Sequence, residues 1–525
     1  MTREPGGVDR GSGRSRSVWM TAELPRFGPL ARDLEVDVCV IGAGIAGLSV
    51  AYALARDGRS VAVLEDGDTI GSGETARTTA HLVTAFDDRY GKVARLHGGE
   101  AARLTAESHA AAIDSIEAIA REEAIECAFE RVDGYLFVPP GESEEVLAHE
   151  LEACHAAGLL DVGWVDRAPM GRFDTRRCLR FPRQAQFHPL RYLAGLAEAI
   201  VRRGGQVFTG SHAEKFEPGR DGGPARVETR EGRAVTARAL VVATNTPVQN
   251  LLTIHTKQHA YRTYVIAAPI APGTVPHALF WDTLDPYHYV RLHRGETGDL
   301  LIVGGEDHKT GQEPEGEHPH RALERWARER FPSMGAIETE WSGQVMEPVD
   351  ALAFIGRNPG DENVWIVTGD SGNGMTHGAL AGPLLAELVQ GRDHPWAKLY
   401  EPGRKSLRAA LEFTRENVNM AAQYAAWLTA GDYKDESEIP RGSGGVIREG
   451  LHKIAVHRDA GGRVHRLSAV CPHLGAIVTW NREEGTWDCP AHGSRFDARG
   501  GVVNGPANAN LASAEEPAEA DGRRP

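Results

Sequence analysis

The sequence of 525 residues has few cysteines, no long apolar run and no excess of positive charge, and each absence excludes a class of protein. Six scattered cysteines are too few for a disulfide framework and favour a reducing compartment. No stretch reaches the roughly 18 apolar residues that span a bilayer, and the N-terminal residues lack the apolar core of a signal peptide. A formal net charge of −15 argues against nucleic-acid and membrane partners. We therefore expect a cytoplasmic protein whose acidic surface could suit a small cationic substrate such as an amine.

Residues 34–65 carry the pattern of a dinucleotide-binding βαβ unit. The apolar run Val36–Ile41 predicts a buried parallel strand, and it leads directly into a glycine-rich turn. In that turn Gly42 permits the tight bend, Gly44 lets the backbone approach a pyrophosphate, and Gly47 permits close packing of helix on strand. The helix that follows points its free N–H groups at the phosphates. The unit therefore predicts a nucleotide site.

Two further features offer groups to the same nucleotide. A second short strand ends at Glu65, where a carboxylate can accept hydrogen bonds from the ribose hydroxyls of an adenosine dinucleotide. The polar loop Gly71–His81 carries Thr78 and Thr79, whose hydroxyls can serve phosphate or ribityl oxygens. His81 could approach a flavin ring or be tethered to it, although a hydrogen-bonded loop histidine is the simpler interpretation.

Residues 261–304 change to successive β segments joined by proline and glycine turns, which predicts an antiparallel substrate sheet. At the strand period of two, Tyr287, Tyr289 and Arg291 share one face. This face could cover a flavin and pair with a carboxylate. The alternative, in which half of the cluster Tyr287, His288, Tyr289 and Arg291 merely alternates outwards, stays open.

A second glycine-rich turn, Gly369–Gly378, follows the predicted strand Val364–Thr368. It could belong to a second dinucleotide domain of the pyridine-nucleotide type. However, its spacing is GxGxxxG and no strand ending in an acid follows, so a second βαβ unit never closes. We interpret the turn as a helix N-terminus aimed at the first nucleotide, with Asp370 on a ribityl or ribose hydroxyl and the Gly372–Gly374 backbone near a flavin.

These motifs, over roughly residues 35–400, resemble those of FAD-dependent oxidoreductases of the D-amino-acid oxidase and glycine oxidase type. The matching segments are Gly42–Gly47 with Glu65, the Gly71–His81 loop, Phe187-His-Pro, Val241-Val-Ala-Thr, and Asp350–Gly356 leading to Gly369–Gly378. The resemblance implies an α/β, Rossmann-like FAD-binding domain interrupted by a mixed-sheet α+β substrate domain, and hydride removal from a carbon that bears an amine. In such enzymes an arginine commonly grips the substrate carboxylate, and Arg291 is the candidate by position. Tyr289 and His81 are further candidate catalytic residues.

The C-terminal region carries Cys471-Pro-His473 and, fifteen residues later, Cys489-Pro-Ala-His492. Two cysteines and two histidines could bind zinc, but zinc sites normally separate a cysteine pair from a histidine pair. Here each loop offers one thiolate and one imidazole. This is the ligand set of a Rieske [2Fe–2S] centre, in which Cys471 and Cys489 hold one iron while His473 and His492 hold the other. Zinc remains the alternative.

Residues 445–511 resemble a Rieske domain, a small all-β fold. Relatives with a cluster often join the two loops by a disulfide, and the resemblance places Ala476 and Ala491 at those positions, so the bridge cannot form. Ser494 can still donate to a cluster sulfur, whereas Phe496 stands where high-potential members have a tyrosine. Because fewer donors stabilise the reduced charge less, we expect a low-to-middle Rieske potential.

The sequence thus predicts two cofactors, FAD and a [2Fe–2S] cluster, in one chain. The predicted order is a flexible lead-in (1–33, although Trp19 suggests that its later part packs on the body), the FAD-dependent oxidoreductase (34–402), a helical linker (403–444), the Rieske domain (445–511) and a disordered tail (512–525). A flavin takes two electrons at once and a cluster passes one at a time. We therefore expect oxidation of a small amine or amino-acid-like substrate, with single electrons passed to a soluble partner.

Two alternatives to this function stay open from the sequence. The chain could be an oxidase that reduces dioxygen, with the cluster as a structural or sensing appendage. It could also be an electron-transfer module without a small-molecule substrate of its own. Rieske oxygenase activity is disfavoured, because only an Ala- and Glu-rich stretch follows Leu511.

Overall fold

The computed structural model describes residues 13–246, 254, 256–295, 298–313, 317–404 and 423–514. The chain divides into two compact units. The larger comprises Arg16–His308 and Pro314–Phe413, and the smaller comprises Met1–Ser15, Lys309–Glu313 and Thr414–Pro525. Within the described residues no helix combines the length and the apolar character needed to cross a membrane.

The larger unit contains both helices and strands. Its helices are α1 Ile45–Arg56, α2 Tyr90–His97, α3 Gly99–Glu122, α4 Glu145–Ala156, α5 Pro189–Arg202, α6 Pro319–Arg330, α7 Gly374–Val389 and α8 Ala397–Tyr400. Its strands are β1 Leu34–Ile41, β2 Val61–Leu64, β3 His81–Leu82, β4 Glu130–Phe137, β5 Gly163–Val165, β6 Cys178–Gln186, β7 Gln206–Phe208, β8 Ala213–Glu217, β9 Ala225–Thr229, β10 Ala234–Val242, β11 Gln258–Ile270, β12 Leu279–Asp282, β13 His288–Gly295, β14 Gly298–Lys309, β15 Thr339–Pro348, β16 Phe354–Arg357 and β17 Val364–Thr368.

An eight-stranded sheet forms the predicted nucleotide-binding half. Its order is β16-β17-β10-β1-β2-β7, with β9 beside β10 and β8 beside β9. Strand β1 is parallel to both β2 and β10, and β17 is parallel to β10. The run Ala239–Val242 therefore rejoins the sheet beside β1, as the sequence predicted. Helix α1, rich in alanine and leucine, packs against α5 and α7 and is buried along most of its length.

A nine-stranded mixed sheet forms the predicted substrate half. Its order is β15-β11-β14-β13-β12-β4-β6-β3, with β5 beside β6. The pair of β12 and β4 is parallel, and β13 pairs antiparallel with both β12 and β14. Helix α6 covers part of this sheet, because Leu323, Trp326 and Ala327 join its apolar core. The fold is the predicted FAD-binding domain interrupted by a mixed-sheet domain.

The N-terminal segment packs on the larger unit from residue 16 onwards. Trp19 is fully buried in a short 3₁₀ helix, Val18–Thr21. Its Nε1 donates to the carbonyl oxygen of Thr78 at 2.6 Å, and the Ser17 hydroxyl donates to the carbonyl of Ala76. The expectation that the later part of the lead-in packs on the body is therefore confirmed at Trp19, since a buried tryptophan and two hydrogen bonds fix the backbone there.

The smaller unit is all β. Its strands are β18 Ser443–Glu449, β19 His452–Arg458, β20 Val464–Ser468, β21 Thr479–Asn481, β22 Thr486–Asp488, β23 Arg495–Asp497 and β24 Val502–Asn504. They form two antiparallel sheets, β18-β19-β20 and β21-β22-β23-β24. Between the sheets lies an apolar core that includes both Cys471 and Cys489.

The predicted helical linker is corrected where the structure describes it. Residues 405–422, which include most of the predicted helix, lie outside the described residues. Between Gln423 and the start of β18 at Ser443 lie two short 3₁₀ helices, Tyr424–Leu428 and Glu436–Glu438. Asp432 instead pairs with strand β18, since its N–H donates to Val446 O at 2.6 Å and its Oδ2 accepts from Val446 N at 2.8 Å. This segment is therefore part of the smaller unit.

The predicted disordered tail also begins within the fold. The carbonyl of Ala512 accepts from Ser468 N at 2.8 Å, so the chain after Leu511 still pairs with the end of β20. Residues 515–525 lie outside the described residues.

Candidate functional site

In the first glycine turn of the larger unit, neither Gly42 nor Gly47 has room for a side chain. Gly42 has φ +100°, and a Cβ added there would lie 2.4 Å from the carbonyl oxygen of Ala243. At Gly47 an added Cβ would lie 1.9 Å from the Gly42 carbonyl oxygen, since α1 packs directly on β1. Gly44 is the N-cap of α1 and has no side chain to close off the helix N-terminus. The turn therefore presents backbone N–H groups and the positive end of a helix dipole.

Glu65 lies beside this turn, as its sequence position predicted. Its Oε2 accepts from Ala43 N at 2.7 Å, and its Oε1 accepts from Gly67 N at 2.9 Å and from Ser72 Oγ at 3.1 Å. Burial raises the pKa of this carboxyl, while the two backbone donors oppose that rise. The carboxylate is held next to the glycine turn, where a ribose would be bound.

The Gly71–His81 loop contributes a hydroxyl that the sequence analysis missed. Thr75 Oγ1 accepts from Ile45 N at 3.1 Å, the first N–H of α1. The two threonines singled out from the sequence shape the loop itself. Thr78 Oγ1 accepts from Ala80 N at 2.9 Å, and Thr79 Oγ1 lies 2.9 Å from His81 Nδ1. Their role in binding the nucleotide stays a prediction.

His81 is a hydrogen-bonded histidine in contact with the substrate sheet. Besides the contact with Thr79, its Nε2 lies 3.4 Å from Val290 O. Its ring meets that of Tyr289 edge-on, with centroids 5.7 Å apart. Burial, and next the nearby Arg291 cation, lower the pKa of His81 to about 3, so the ring is neutral at physiological pH.

Arg291 does not lie where a substrate carboxylate could reach it, which corrects the role predicted for it. The residue is only 2% exposed. Its Nη1 donates to the carbonyl oxygens of Thr79, Ala80 and Phe187 at 3.1, 2.8 and 3.2 Å. Its guanidinium also lies 5.3 Å from the ring centroid of Trp19. Burial lowers the pKa of Arg291 to about 9. Arg291 therefore fastens the end of the Gly71–His81 loop.

The second glycine turn holds a carboxylate with a free oxygen. Asp370 directly follows β17 and Gly369, and its Oδ1 is buried without a hydrogen-bond partner in the described part of the chain. Burial raises the pKa of Asp370 to about 7. A Cβ added at Gly372 would lie 2.7 Å from the Asp87 carboxylate and 2.8 Å from Tyr287 Oη. An orphaned acceptor beside a helix N-terminus fits a sugar or ribityl hydroxyl, so these residues fit FAD.

An acidic cluster lies beside this turn, and the sequence analysis missed it. Its members are Asp87, Asp88, Asp307 and Glu347, with Tyr287 and Ser371 as hydrogen-bonding neighbours. Ser371 Oγ donates to Glu347 Oε2 at 2.7 Å and lies 3.4 Å from Asp88 Oδ2. Ser371 also has φ +49°, a left-handed conformation that a serine rarely adopts. Lys92 forms an ion pair with Asp88.

Burial, with charge repulsion from neighbouring carboxylates, raises the pKa of Asp87, Asp307 and Glu347. Burial, and next the charge of Asp88, raise the pKa of Asp87 to about 6. The same two causes raise the pKa of Glu347 well above its usual range. Burial raises the pKa of Asp307 to about 7, although a hydrogen bond with Thr263 opposes this. Repulsion of this kind is relieved by a bound cation or a bound proton.

Asp307 is the member of the acidic cluster with a free oxygen. Its Oδ1 is buried and has no hydrogen-bond partner among the residues that the structure describes. Thr263, which bonds the same carboxyl, lies 2.5 Å from Tyr289 Oη, and Tyr289 in turn packs 5.4 Å from the Tyr287 ring. Tyr287 and Tyr289 therefore do share a face at one site, as their spacing predicted.

The smaller unit brings the four predicted metal ligands together. Cys471 and Cys489 are buried and hydrogen-bonded to each other, and this bond lowers the pKa of Cys471 to about 7. The rings of His473 and His492 are 5.0 Å apart and nearly perpendicular. Backbone N–H groups hydrogen-bond to each sulfur, from His473 and Leu474 to Cys471 and from Ala491 and His492 to Cys489. Two thiols and two imidazoles with amide donors to sulfur fit a Rieske cluster.

Ser494 and Phe496 occupy the positions expected near the cluster. Ser494 is fully buried, hydrogen-bonds to Cys471, and accepts from Ala507 N at 3.0 Å. Phe496 is also fully buried and offers no donor. All six cysteines carry free thiols. The low-to-middle potential stays a prediction.

Comparison with known protein families finds a match for each of the two predicted parts of the chain. The profile of the FAD dependent oxidoreductase family, abbreviated DAO, matches residues 37–388. The chain belongs to the FAD dependent oxidoreductase family. A Rieske [2Fe-2S] domain profile matches residues 431–515, so the FAD-dependent enzyme carries a Rieske domain as well. Its cofactors are FAD and a [2Fe–2S] cluster, as the sequence predicted.

Some relatives of this FAD-dependent enzyme match nearly the whole chain, and others match about three quarters of it. The Bacillus subtilis (strain 168) protein YhfW, whose name describes it as a Rieske 2Fe-2S iron-sulfur protein, is 31% identical over 94% of this chain and 96% of its own length. Gamma-glutamylputrescine oxidoreductase of Escherichia coli (strain K12) is 26% identical over 75% of this chain and 94% of its own length. Glycine oxidase from Geobacillus kaustophilus has the same fold over 71% of this chain and 99% of its own, with a TM-score of 0.59 at 17% identity.

Proposed function

We propose that this FAD-dependent enzyme oxidises a small cationic amine and passes the electrons singly, through its Rieske domain, to a soluble acceptor. When bound, FAD takes a hydride from a carbon next to nitrogen, and a [2Fe–2S] cluster passes one electron at a time. The observation that supports an amine is the acidic cluster of Asp87, Asp88, Asp307 and Glu347 beside the Gly372 turn.

A cationic substrate follows from the charge balance of the acidic cluster. Lys92 is ion-paired with Asp88, and the remaining three carboxylates have raised pKa values because burial and repulsion disfavour their charged forms. An ammonium group placed among them would restore the charge balance, whereas a substrate carboxylate there would add repulsion. The relationship to gamma-glutamylputrescine oxidoreductase, named for an amine, points the same way.

The acidic cluster also offers a base for the substrate proton. An ammonium must lose a proton before its neighbouring carbon can release a hydride. The Oδ1 atom of Asp307 has no partner in the described part of the chain, and the pKa of this carboxyl is raised to about 7. We assign it the role of proton acceptor, because a base with a pKa near the working pH transfers protons efficiently. Asp307 would take the proton of the ammonium and bound FAD would accept the hydride, so that the substrate would leave as an iminium.

Anaerobic mixing of the purified, cofactor-loaded protein with a panel of compounds tests this function. The panel contains monoamines, diamines, neutral and acidic amino acids, and alcohols of matched size. We expect amines to bleach the flavin absorbance, and the electron paramagnetic resonance (EPR) signal of a reduced Rieske cluster to follow. Flavin bleaching without that EPR signal would favour an oxidase. No response to any compound would favour an electron-transfer module.

A further inference from the structure

The two cluster-binding loops have the same turn but different supports. Loop 1 is Cys471–Gly475 and loop 2 is Cys489–Gly493, and in each the last glycine N–H donates to the cysteine carbonyl at 2.9 Å. The resemblance to Rieske domains implies that relatives join the loops by a disulfide at the positions of Ala476 and Ala491, and both residues are buried. Loop 2 accepts a hydrogen bond from Gln312 Nε2 to its Pro490 carbonyl at 3.3 Å. Loop 1 is held from another part of the smaller unit.

The support of loop 1 is the short 3₁₀ helix Tyr424–Leu428. Tyr424 Oη donates to the carbonyl oxygen of Leu474 at 2.8 Å, and Trp427 Nε1 donates to the carbonyl oxygen of Gly475 at 3.0 Å. These two carbonyls are consecutive and lie directly after the ligand His473. Both aromatic rings also pack against the apolar core around the cysteines. Two neighbouring peptide planes of the loop are therefore fixed in orientation.

The 3₁₀ helix is itself anchored on the first sheet of the smaller unit. Lys453, only 2% exposed, donates through Nζ to the carbonyl oxygen of Thr429 at 2.7 Å. Arg448 Nη1 donates to the same oxygen at 3.2 Å. Both residues lie on neighbouring strands, β18 and β19. The helix can therefore transmit the rigidity of the sheet to loop 1.

We propose that Tyr424 and Trp427 are positioning residues for the cluster, and that they replace mechanically the disulfide which this Rieske domain lacks. They hold the Leu474–Gly475 and Gly475–Ala476 peptide planes, which directly follow the two planes whose N–H groups, of His473 and Leu474, hydrogen-bond to the Cys471 sulfur. With these following planes fixed, the two N–H groups are kept directed at the sulfur. Such N–H to sulfur bonds stabilise the extra negative charge of a reduced cluster. This inference rests on the cluster alone and is independent of the amine substrate.

The test compares Tyr424→Phe, Trp427→Phe and the double variant in the full, cofactor-loaded chain. We expect the double variant to have a lower cluster midpoint potential in an EPR-monitored redox titration, because its N–H donors are less well aligned. We also expect the reduced protein to lose iron to a ferrous chelator roughly tenfold faster, since two hydrogen bonds to the loop are gone. Tyr433→Phe is the matched control, because Tyr433 packs in the separate apolar cluster around Ile439. An unchanged potential and rate in the double variant would overturn the proposal.

A rescue experiment distinguishes a role of Tyr424 and Trp427 in holding loop 1 from an effect on the overall stability of the smaller unit. Ala476→Cys and Ala491→Cys are added to the double variant, and disulfide formation is checked by mass spectrometry. If the two aromatic residues replace the bridge, the oxidised form regains slow iron loss and a sharp EPR spectrum, and thiol reduction removes both gains. A disulfide that forms without slowing iron loss would count against the proposal.

Discussion

The cluster site and the acidic cluster differ in how their polar groups are satisfied. At the cluster site each cysteine sulfur meets two backbone N–H groups, and Ser494 adds a third donor at Cys471. In the acidic cluster three carboxylates have raised pKa values, and Asp307 Oδ1 has no partner among the described residues. The first site is organised to keep a resident group. The second holds buried carboxylates whose repulsion is not balanced, as suits a ligand that binds and dissociates in each turnover.

This contrast predicts different responses to substitution. A change at a resident cofactor site should remove the cofactor altogether, whereas a change in the acidic cluster should alter rates and their pH dependence while both cofactors remain bound.

The largest effect is expected for Cys489→Ser. Serine replaces a thiolate ligand of the cluster, so the Rieske signal should be lost completely while FAD stays bound in the other unit. Iron content, EPR and visible absorbance measure this. Cys178→Ser is the control, because Cys178 is a buried free cysteine of β6 outside the cluster site. Iron retained in the Cys489→Ser protein would disprove the ligand assignment.

The corresponding experiment on the FAD site is Gly47→Ala. The new Cβ would lie 1.9 Å from the Gly42 carbonyl, which forces α1 away from β1 and deforms the pyrophosphate turn. We expect FAD affinity to fall roughly 100-fold or more, with the cluster spectrum unchanged. Flavin content and titration with free FAD measure it. Gly28→Ala, where an added Cβ meets nothing within 4 Å, should leave both cofactors bound.

An intermediate effect is expected for Asp307→Asn. We expect kcat/KM for a cationic amine to fall roughly 100-fold, because an amide cannot take the substrate proton. Both cofactors should stay bound. The exposed aspartate in Asp161→Asn serves as the control.

The pH profile sharpens the test of Asp307. Because burial raises its pKa to about 7, the carboxylate gains charge as pH rises through neutrality, and kcat/KM of the unaltered enzyme should rise from pH 6 to 8. The folded state also binds this proton more tightly than the unfolded state does, so this group lowers stability as pH rises from about 4 towards 7. Asp307→Asn should remove both trends. A rate profile that stays the same in the variant would assign the base to another group.

The smallest effect is expected for Arg291→Lys. Lysine cannot reproduce the contacts of the guanidinium with three carbonyls, so the loop that carries Thr78 and Thr79 should loosen. FAD should dissociate several-fold faster, roughly threefold to tenfold, with equal KM changes for substrates with and without a carboxylate. Stopped-flow exchange of FAD measures the first quantity. A KM increase confined to substrates that carry a carboxylate would restore the role first predicted for Arg291.

How much the sequence revealed depended on how close together the residues of each site lie in the chain. Gly42, Gly47 and Glu65 belong to one βαβ unit, and the cluster ligands belong to two short loops, so residue type and spacing identified both sites. The carboxylates of the acidic cluster come from the segment before α2 and from strands β14 and β15. No spacing rule joins these segments before the fold is known.

Two predictions were wrong because a local pattern does not specify its tertiary surroundings. Strand alternation correctly placed Arg291 on one face with Tyr289, but it gave no indication that the Gly71–His81 loop and Trp19 cover that end of the face. The linker boundary was also placed wrongly, because contacts of Thr429 with Lys453 and of Asp432 with Val446 hold the chain after Leu428 on β18 and β19. Most of the helix predicted before it, residues 405–422, lies outside the described residues.

The buried Trp19 links a segment outside the dinucleotide motif to the Gly71–His81 loop. Its indole contacts the Arg291 guanidinium and bonds Thr78, so residues 17–21, the end of the Gly71–His81 loop and β13 brace one another. A truncated protein that begins at β1 would keep every recognisable nucleotide motif and still expose this arginine to water. We therefore expect a protein truncated at β1 to hold FAD less tightly than the full chain does.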